Sequence, residues 1–241
     1  TFTYIRKEWS YKMSEITVSA IIACAGSFSR MNGVNKQLLE LDGIPVAVRS
    51  MLAFEQLDEV PEIIVSAREC DIDEYKKLCE KYGVTKLKAV VKGGETRQQS
   101  IFNAYREVSK ETRYVAVHDG ARPLVSPENI KQCIRDASIF GGAVLGVPVK
   151  DTIKNVDGGL ITDTPDRRKL YITQTPQIFR KDIYVKGINF ANSHELDFTD
   201  DCQLAEAVGA KVAMTESSYR NIKITTPEDI AVAEILLKGN S

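Results

Sequence analysis

The amino-acid sequence predicts an α/β protein: a doubly wound, mostly parallel sheet with a protruding β-hairpin arm. Three observations predict it. Short β-branched runs alternate with helical patterns along most of the chain. Such alternation implies right-handed crossovers and helices on both faces of one sheet. The rhythm breaks between residues 150 and 173, where Asp157-Gly158-Gly159 separates two short alternating segments, a pattern that reads as a hairpin leaving the sheet. At 241 residues the chain can bury a full core without disulfide staples.

The elements follow in order. Residues 18–23 (VSAIIA) read as a first buried strand. Residues 45–56 read as a helix opened by Pro45, whose missing N–H costs nothing there. Strands are expected at 62–67, 86–91 and 114–118, with helices at 71–82 and 95–109 between them. Ser126-Pro127-Glu128 combines a hydroxyl cap, a first-turn proline and an acid on the positive dipole end. That helix is expected to reach about residue 140, followed by a strand at 142–147. The hairpin strands are 151–156 and 160–164. Helices at 181–192 and 199–208, strands near 211–214 and 221–224, and a last helix opened by Thr226-Pro227-Glu228-Asp229 complete the chain.

Composition narrows the function. Hydrophobic residues at 43% and charged residues at 27% exclude wholesale disorder. A net charge of −1 argues against a nucleic-acid partner, while leaving room for a local basic pocket. No run approaches the roughly 18 apolar residues of a membrane span, so no membrane partner is expected. Ile21-Ile22-Ala23-Cys24 resembles a lipoprotein cleavage site, but the apolar run ahead of it is broken by Glu15, Thr17 and Ser19. The five cysteines are odd in number and show no paired metal spacing. Reduced thiols in a cytoplasmic protein are the simpler reading. Residues 1–15 are expected to be a disordered or appended leader, and 16–241 one domain including an arm at about 150–173.

In such sheets ligands bind at the carboxyl ends of the strands, so the loops there carry the candidates. The loop after the first strand runs from Ala25, Gly26 and Ser27 through Arg30 to Lys36. Small residues let backbone N–H groups approach a ligand, and Arg30 and Lys36 can neutralise a polyphosphate. The other reading is a polar turn with solvated cations. Neither GxxxxGK[ST] nor GxGxxG is present. A second loop, Gly93 to Ser100, offers paired glycines, and Glu95 is placed to bond a sugar hydroxyl or only to favour a helix start. In the third, His118-Asp119-Gly120-Ala121-Arg122-Pro123, Asp119 reads as a turn cap or as a carboxylate that holds Mg²⁺ against phosphate oxygens. Arg122 is placed to grip a second phosphate. His118 reads as a packed or hydrogen-bonded histidine rather than a catalyst.

Taken together, AGSFSRM with NKQ, GGETRQQS, VHDGARP, PVKDTIK, TQTPQIF, FTDD and NIKITTPEDI resemble, in order, the 2-C-methyl-D-erythritol 4-phosphate cytidylyltransferase family of isoprenoid biosynthesis. The resemblance runs from about residue 18 to residue 237. It implies a Rossmann-like nucleotidyltransferase domain, CTP and a sugar-alcohol phosphate as partners, a divalent cation such as Mg²⁺, and a homodimer through the hairpin arm. By the same resemblance Arg30 and Lys36 hold the triphosphate, Ala25, Gly26 and Ser27 form its backbone cradle, and Gly94, Glu95 and Ser100 bind the cytidine. Asp119 matches the magnesium-linked acid. Arg122, Thr199 and Lys223 match substrate contacts, and Thr152 and Arg167 match arm residues that reach the neighbouring subunit's sugar phosphate. The sequence departs from the pattern twice. Phe28 stands where a second glycine is common, and Arg220 where some members carry an acid that helps hold the metal.

The expected chemistry is an in-line attack by a phosphate oxygen of the sugar alcohol on the α-phosphorus of CTP. The nucleophile is already an anion, so catalysis is expected to rest on positioning and charge neutralisation. Two rival readings stand beside it: a ribitol 5-phosphate cytidylyltransferase, and a non-catalytic nucleotide-binding relative. A Rossmann dehydrogenase is disfavoured by the missing glycine fingerprint.

Overall fold

Side-chain alternation sets the architecture. The computed structural model describes residues 16–26 and 35–239. In chain order the first half contains β1 (Val18–Cys24), β2 (Glu40–Leu41), β3 (Ile44–Pro45), α1 (Val46–Glu55), β4 (Glu62–Ala67), α2 (Ile72–Tyr82), β5 (Leu87–Lys92), α3 (Arg97–Tyr105) and β6 (Tyr114–Asp119). The second half contains α4 (Pro127–Phe140), β7 (Gly142–Pro148), β8 (Asn155–Asp157), β9 (Leu160–Asp163), β10 (Tyr171–Arg180), α5 (Lys181–Ser193), α6 (Cys202–Ala207), β11 (Ala213–Glu216) and α7 (Pro227–Lys238).

The main sheet has the order β11-β7-β10-β6-β1-β4-β5. On β1, Val18, Ala20, Ile22 and Cys24 face one core, and Ile21 faces the other. The first core is completed by Met51 and Phe54 of α1, Tyr75 of α2, and Ile130 and Ile134 of α4. The second is completed by Ile101 of α3, Tyr184 of α5, and Leu204 of α6. Helices therefore cover both faces, as a doubly wound sheet requires. Burying each such large apolar side chain contributes about 1.5–3 kcal/mol.

Local signals account for the helix ends. Ser126 Oγ accepts from Asn129 N–H at 3.2 Å and opens α4, with Pro127 in its first turn. Gly141 closes α4 in the left-handed region, at φ 89°. Asp229 Oδ2 accepts from Thr226 N–H at 2.9 Å and fixes the start of α7.

The structure departs from the sequence expectations at four elements. Residues 171–180, for which the sequence predicts no element, form the longest strand among the described residues. β10 lies between β6 and β7 and runs antiparallel to both. Its Pro176 carries no N–H to donate, which argues against a central strand. The strand accommodates it with a register shift between Thr173 and Gln177. Residues 221–224 are not a strand; they form an irregular segment whose Asn221 and Ile224 are buried. α3 ends at Tyr105 and α6 begins only at Cys202. The backbone N–H groups of Asp201 and Cys202 are held by Gln177 Oε1, at 2.8 and 3.0 Å.

β8 and β9 pair antiparallel with each other around Gly158-Gly159 and expose every residue. Leu160 and Ile161 are 74% and 65% exposed. No helix among the described residues is long and apolar enough to cross a membrane.

Candidate active site at the carboxyl ends of the central strands

β1, β4 and β6 end at the same level. Ala23 stands in register with Ser66 on one side and Asp119 on the other. A cavity of about 660 Å³ opens there. It brings together Ala25, Gly26 and Lys36 from the first loop, Gly94, Glu95 and Ser100 from the second, and Asp119 with Lys223. Ser27, Phe28 and Arg30 lie outside the described residues.

The stem that carries Lys36 is pinned from below. Asn35 Nδ2 donates to Asp71 Oδ2 at 2.9 Å, and Asn35 Oδ1 accepts from Gln37 N–H at 3.1 Å. Gln37 Nε2 donates to the Ala23 carbonyl at 3.1 Å. These bonds tie the loop back to the end of β1.

The glycine loop is held as firmly. Gly93 N–H donates to the Ala67 carbonyl at 2.8 Å, and a Cβ on Gly93 would lie 2.3 Å from the Ala25 Cβ. Only glycine lets the two loops approach so closely. Gly94 N–H donates to Ser100 Oγ at 3.0 Å, and that hydroxyl donates to the Thr96 carbonyl at 2.9 Å. Glu95 is exposed at the cavity edge.

Asp119 is the electrostatic centre. It is buried, yet three cations surround it. Lys223 Nζ is 2.8 Å from Oδ2, Arg122 Nε is 3.7 Å from Oδ2, and Arg97 Nη2 is 3.6 Å from Oδ1. Burial pushes its carboxyl up, but Lys223, Arg97 and Arg122 together hold it well below the usual carboxylate range. Arg97 also reaches Asp201 Oδ2 at 2.7 Å, and Asp201 Oδ1 accepts from Tyr184 Oη at 2.7 Å. Burial lowers the Arg97 guanidinium, but Asp201 and Asp119 outweigh it and keep it charged. Burial pushes His118 down to about 4 and keeps it neutral.

Other sequence candidates sit away from the cavity. Thr152 lies beside the hairpin and is exposed; Arg167, also exposed, donates to the Lys150 carbonyl at 2.8 Å. Thr199 bonds Gln203 on the surface. Arg122 lies behind Asp119, with Nη1 donating to the Asn221 carbonyl at 2.8 Å. Its Nε is buried without a hydrogen-bond partner, so a guanidinium edge beside Asp119 retains donor capacity. Arg220 turns to the carbonyl of Leu236 at the end of α7, so the cation serves a helix C-terminus.

Sequence reasoning missed Arg97. It lies within GGETRQQS, but nothing local to that stretch marks its two partners, since Asp119 and Asp201 come from β6 and from the start of α6. Ser66 at the end of β4 also lines the cavity, and a serine in an apolar strand carries little sequence signal.

The chain resembles known proteins along most of its length. A sequence profile of the 2-C-methyl-D-erythritol 4-phosphate cytidylyltransferases matches residues 18–239. The protein of that name from Caldanaerobacter subterraneus is 45% identical over 227 residues, covering 92% of this chain and 100% of the relative. The chloroplastic protein of that name from Oryza sativa is 40% identical over 230 residues, covering 93% of this chain and 76% of the relative. Among solved structures, the 4-diphosphocytidyl-2C-methyl-D-erythritol synthase from Anaerococcus prevotii superposes with a TM-score of 0.83 at 32% identity, covering 93% of this chain and 99% of that one. The 2-C-methyl-D-erythritol 4-phosphate cytidylyltransferase from Thermus thermophilus superposes with a TM-score of 0.75 at 28% identity, covering 92% and 100%. With the profile spanning the whole described sheet and relatives of this identity over nine-tenths of its length, the chain belongs to the 2-C-methyl-D-erythritol 4-phosphate cytidylyltransferase family.

Proposed function

We propose that this protein joins CTP to 2-C-methyl-D-erythritol 4-phosphate, giving 4-diphosphocytidyl-2-C-methyl-D-erythritol and pyrophosphate in non-mevalonate isoprenoid biosynthesis. One observation carries the chemistry: a buried carboxylate, Asp119, ringed by Lys223, Arg97 and Arg122 beside a glycine-lined cavity. A general acid–base site would need a group poised to change its proton. Here Asp119 is held ionised and His118 is held neutral. That suits a reaction between two anions, in which the attacking phosphate oxygen needs no base.

Lys36 and Arg30 bind the triphosphate tail and neutralise the charge that develops as pyrophosphate leaves. Backbone groups of Ala25, Gly26 and Ser27 cradle the nucleotide, and Gly94, Glu95 and Ser100 hold the cytidine. Lys223 orients the attacking phosphate toward the α-phosphorus, and Arg122 supports it from behind through Asp119.

The donor set fits a divalent cation carried by the nucleotide. No group of three or more acids or other ligating side chains stands together among the described residues. Mg²⁺ commonly binds through one or two carboxylates plus substrate phosphates and water. Asp119 would be that carboxylate, and the ion would supply charge neutralisation on the phosphates.

Two further assignments support a complete site. The exposed apolar hairpin suits an arm-exchanged homodimer in which Thr152 and Arg167 reach the partner's sugar phosphate. Cys24, Cys79, Cys133 and Cys202 are buried free thiols, which suits the reducing cytoplasm. The test is a pyrophosphate-release screen of CTP with several sugar-alcohol phosphates. Turnover with 2-C-methyl-D-erythritol 4-phosphate well above that with ribitol 5-phosphate is expected. Preference for ribitol 5-phosphate selects the rival acceptor, and no release with any acceptor selects a non-catalytic relative.

A further inference from the structure

Asp119 is held from behind as well as in front. Its backbone N–H donates to Thr175 Oγ1 at 3.0 Å. The same hydroxyl lies 3.0 Å from His118 Nδ1, and His118 Nε2 lies 3.3 Å from the Arg122 carbonyl. A carbonyl can only accept, so the ring proton sits on Nε2. Nδ1 is then an acceptor, and the Thr175 hydroxyl donates to it. The direction of every bond follows.

The chain of bonds closes on itself. Arg122 Nη1 donates to the Asn221 carbonyl, and Asn221 Nδ2 donates to the Thr175 carbonyl at 3.1 Å and to Gln174 Oε1 at 3.0 Å. The closed circuit joins the end of β6, the middle of β10 and the irregular segment that carries Lys223. Asp119 and Lys223 are the two charges that it sets against each other. His118 is fully buried, and its ring meets Phe54 edge-on at 5.2 Å. A phenylalanine would supply the same packing. It would leave the Thr175 hydroxyl and the Arg122 carbonyl without that partner.

We propose that His118 is a positioning residue for the transfer reaction, its imidazole donating through Nε2 to the Arg122 carbonyl and accepting at Nδ1 from Thr175, and so fixing Asp119 against Lys223. This rests on the cytidylyl-transfer reading above. His118 touches no reacting atom. It sets where Asp119 and Lys223 stand, and misplacement of a charged group by a fraction of an ångström is expensive in rate.

The test has two independent arms on the full-length protein. In the first, nitrogen-15 NMR of the histidine rings reads the tautomer at about pH 8. The chain has two histidines, and a His194→Gln variant assigns the signals. The expected result is one protonated Nε2 and one unprotonated Nδ1 on His118. The reversed tautomer, or a mixture of the two, overturns the proposal. In the second, His118→Phe, Thr175→Val and the double variant are compared in steady-state kinetics. Each single change is expected to lower kcat by about 10- to 100-fold, with KM for CTP within about twofold. The double variant should be no slower than the slower single variant, because both act through one circuit. Wild-type kcat in a folded His118→Phe protein, or losses that multiply, overturns it. Should His118→Phe fail to fold, Thr175→Val decides. It must lose rate and also release the tautomer, and unchanged kcat or spectrum refutes the circuit. If the wild type turns over no sugar-alcohol phosphate, the reaction assignment fails, and the NMR arm still judges the geometry.

Discussion

Lys223 Nζ stands 2.8 Å from Asp119 Oδ2 at the mouth of the cavity, closer than either arginine that also faces this carboxylate. The lysine is exposed while the carboxylate is buried. An exposed lysine is free to change rotamer, while Arg97 and Arg122 hold Asp119 charged from the other sides.

Asp119→Asn should lower kcat by on the order of 10²–10³, the cost of losing one preorganised charged group. Because Asp119 is held well below the usual carboxylate range, it stays ionised through the working pH range. The wild-type rate should therefore show no acid limb from this group above about pH 5. A pH–rate profile of wild type beside the variant checks both statements.

Lys36→Ala should lower kcat by a similar factor, about 10²–10³, with the fold intact. Steady-state kinetics with circular dichroism on the same sample decides the matter. Wild-type turnover would remove Lys36 from the triphosphate site.

Gly93→Ala should raise KM for CTP about tenfold or more while leaving the protein folded. The added Cβ would stand 2.3 Å from the Ala25 Cβ and 2.9 Å from Ser100 Oγ. The two loops of the nucleotide cradle must then separate. Titration of CTP at saturating acceptor measures the change, and an unchanged KM would show that the cradle does not depend on this approach.

Glu62→Gln tests a structural site at the opposite ends of the strands. Glu62 accepts from Ser19, from the N–H and hydroxyl of Ser109, at 2.8 and 2.5 Å, and from Lys88 at 2.9 Å. Burial pushes its carboxyl up, but these bonds outweigh burial and hold it at about 2, against an ordinary 4.5. A depressed carboxyl stabilises fully above its unfolded value, and the gain is lost as pH falls through the folded value. The variant should lose about 2–3 kcal/mol at pH 7. That difference should shrink as pH drops from about 4.5 toward 2. Denaturant melts at a series of pH values would show it, and a gap independent of pH would contradict the cause given.

Leu160→Asp with Ile161→Asp should convert a dimer into a monomer and lower turnover about tenfold or more, since Thr152 and Arg167 then lose the neighbouring site. Light scattering alongside the pyrophosphate assay reads both. A wild-type monomer with full activity would end the arm-exchange proposal.

The two-faced sheet was legible from the amino-acid pattern alone. Val18–Cys24 is apolar almost throughout, as a strand covered on both faces must be, and the alternation of such runs with helical stretches is legible along the chain. The pattern also marks helix starts such as Ser126-Pro127, where a cap needs only neighbouring residues. The loops that form the cavity were legible too, because strand ends in a parallel sheet converge and glycines mark close approach. The position of β10 emerges only on folding, since Pro176 hides a central strand until a register shift accommodates it. Folding alone placed Arg97 between Asp119 and Asp201, and closed the circuit of His118, Thr175, Asn221 and Arg122. Such polar contacts join segments far apart in the chain. They repeat at no period, so nothing local announces them, and only the packed sheet brings their ends within hydrogen-bonding reach.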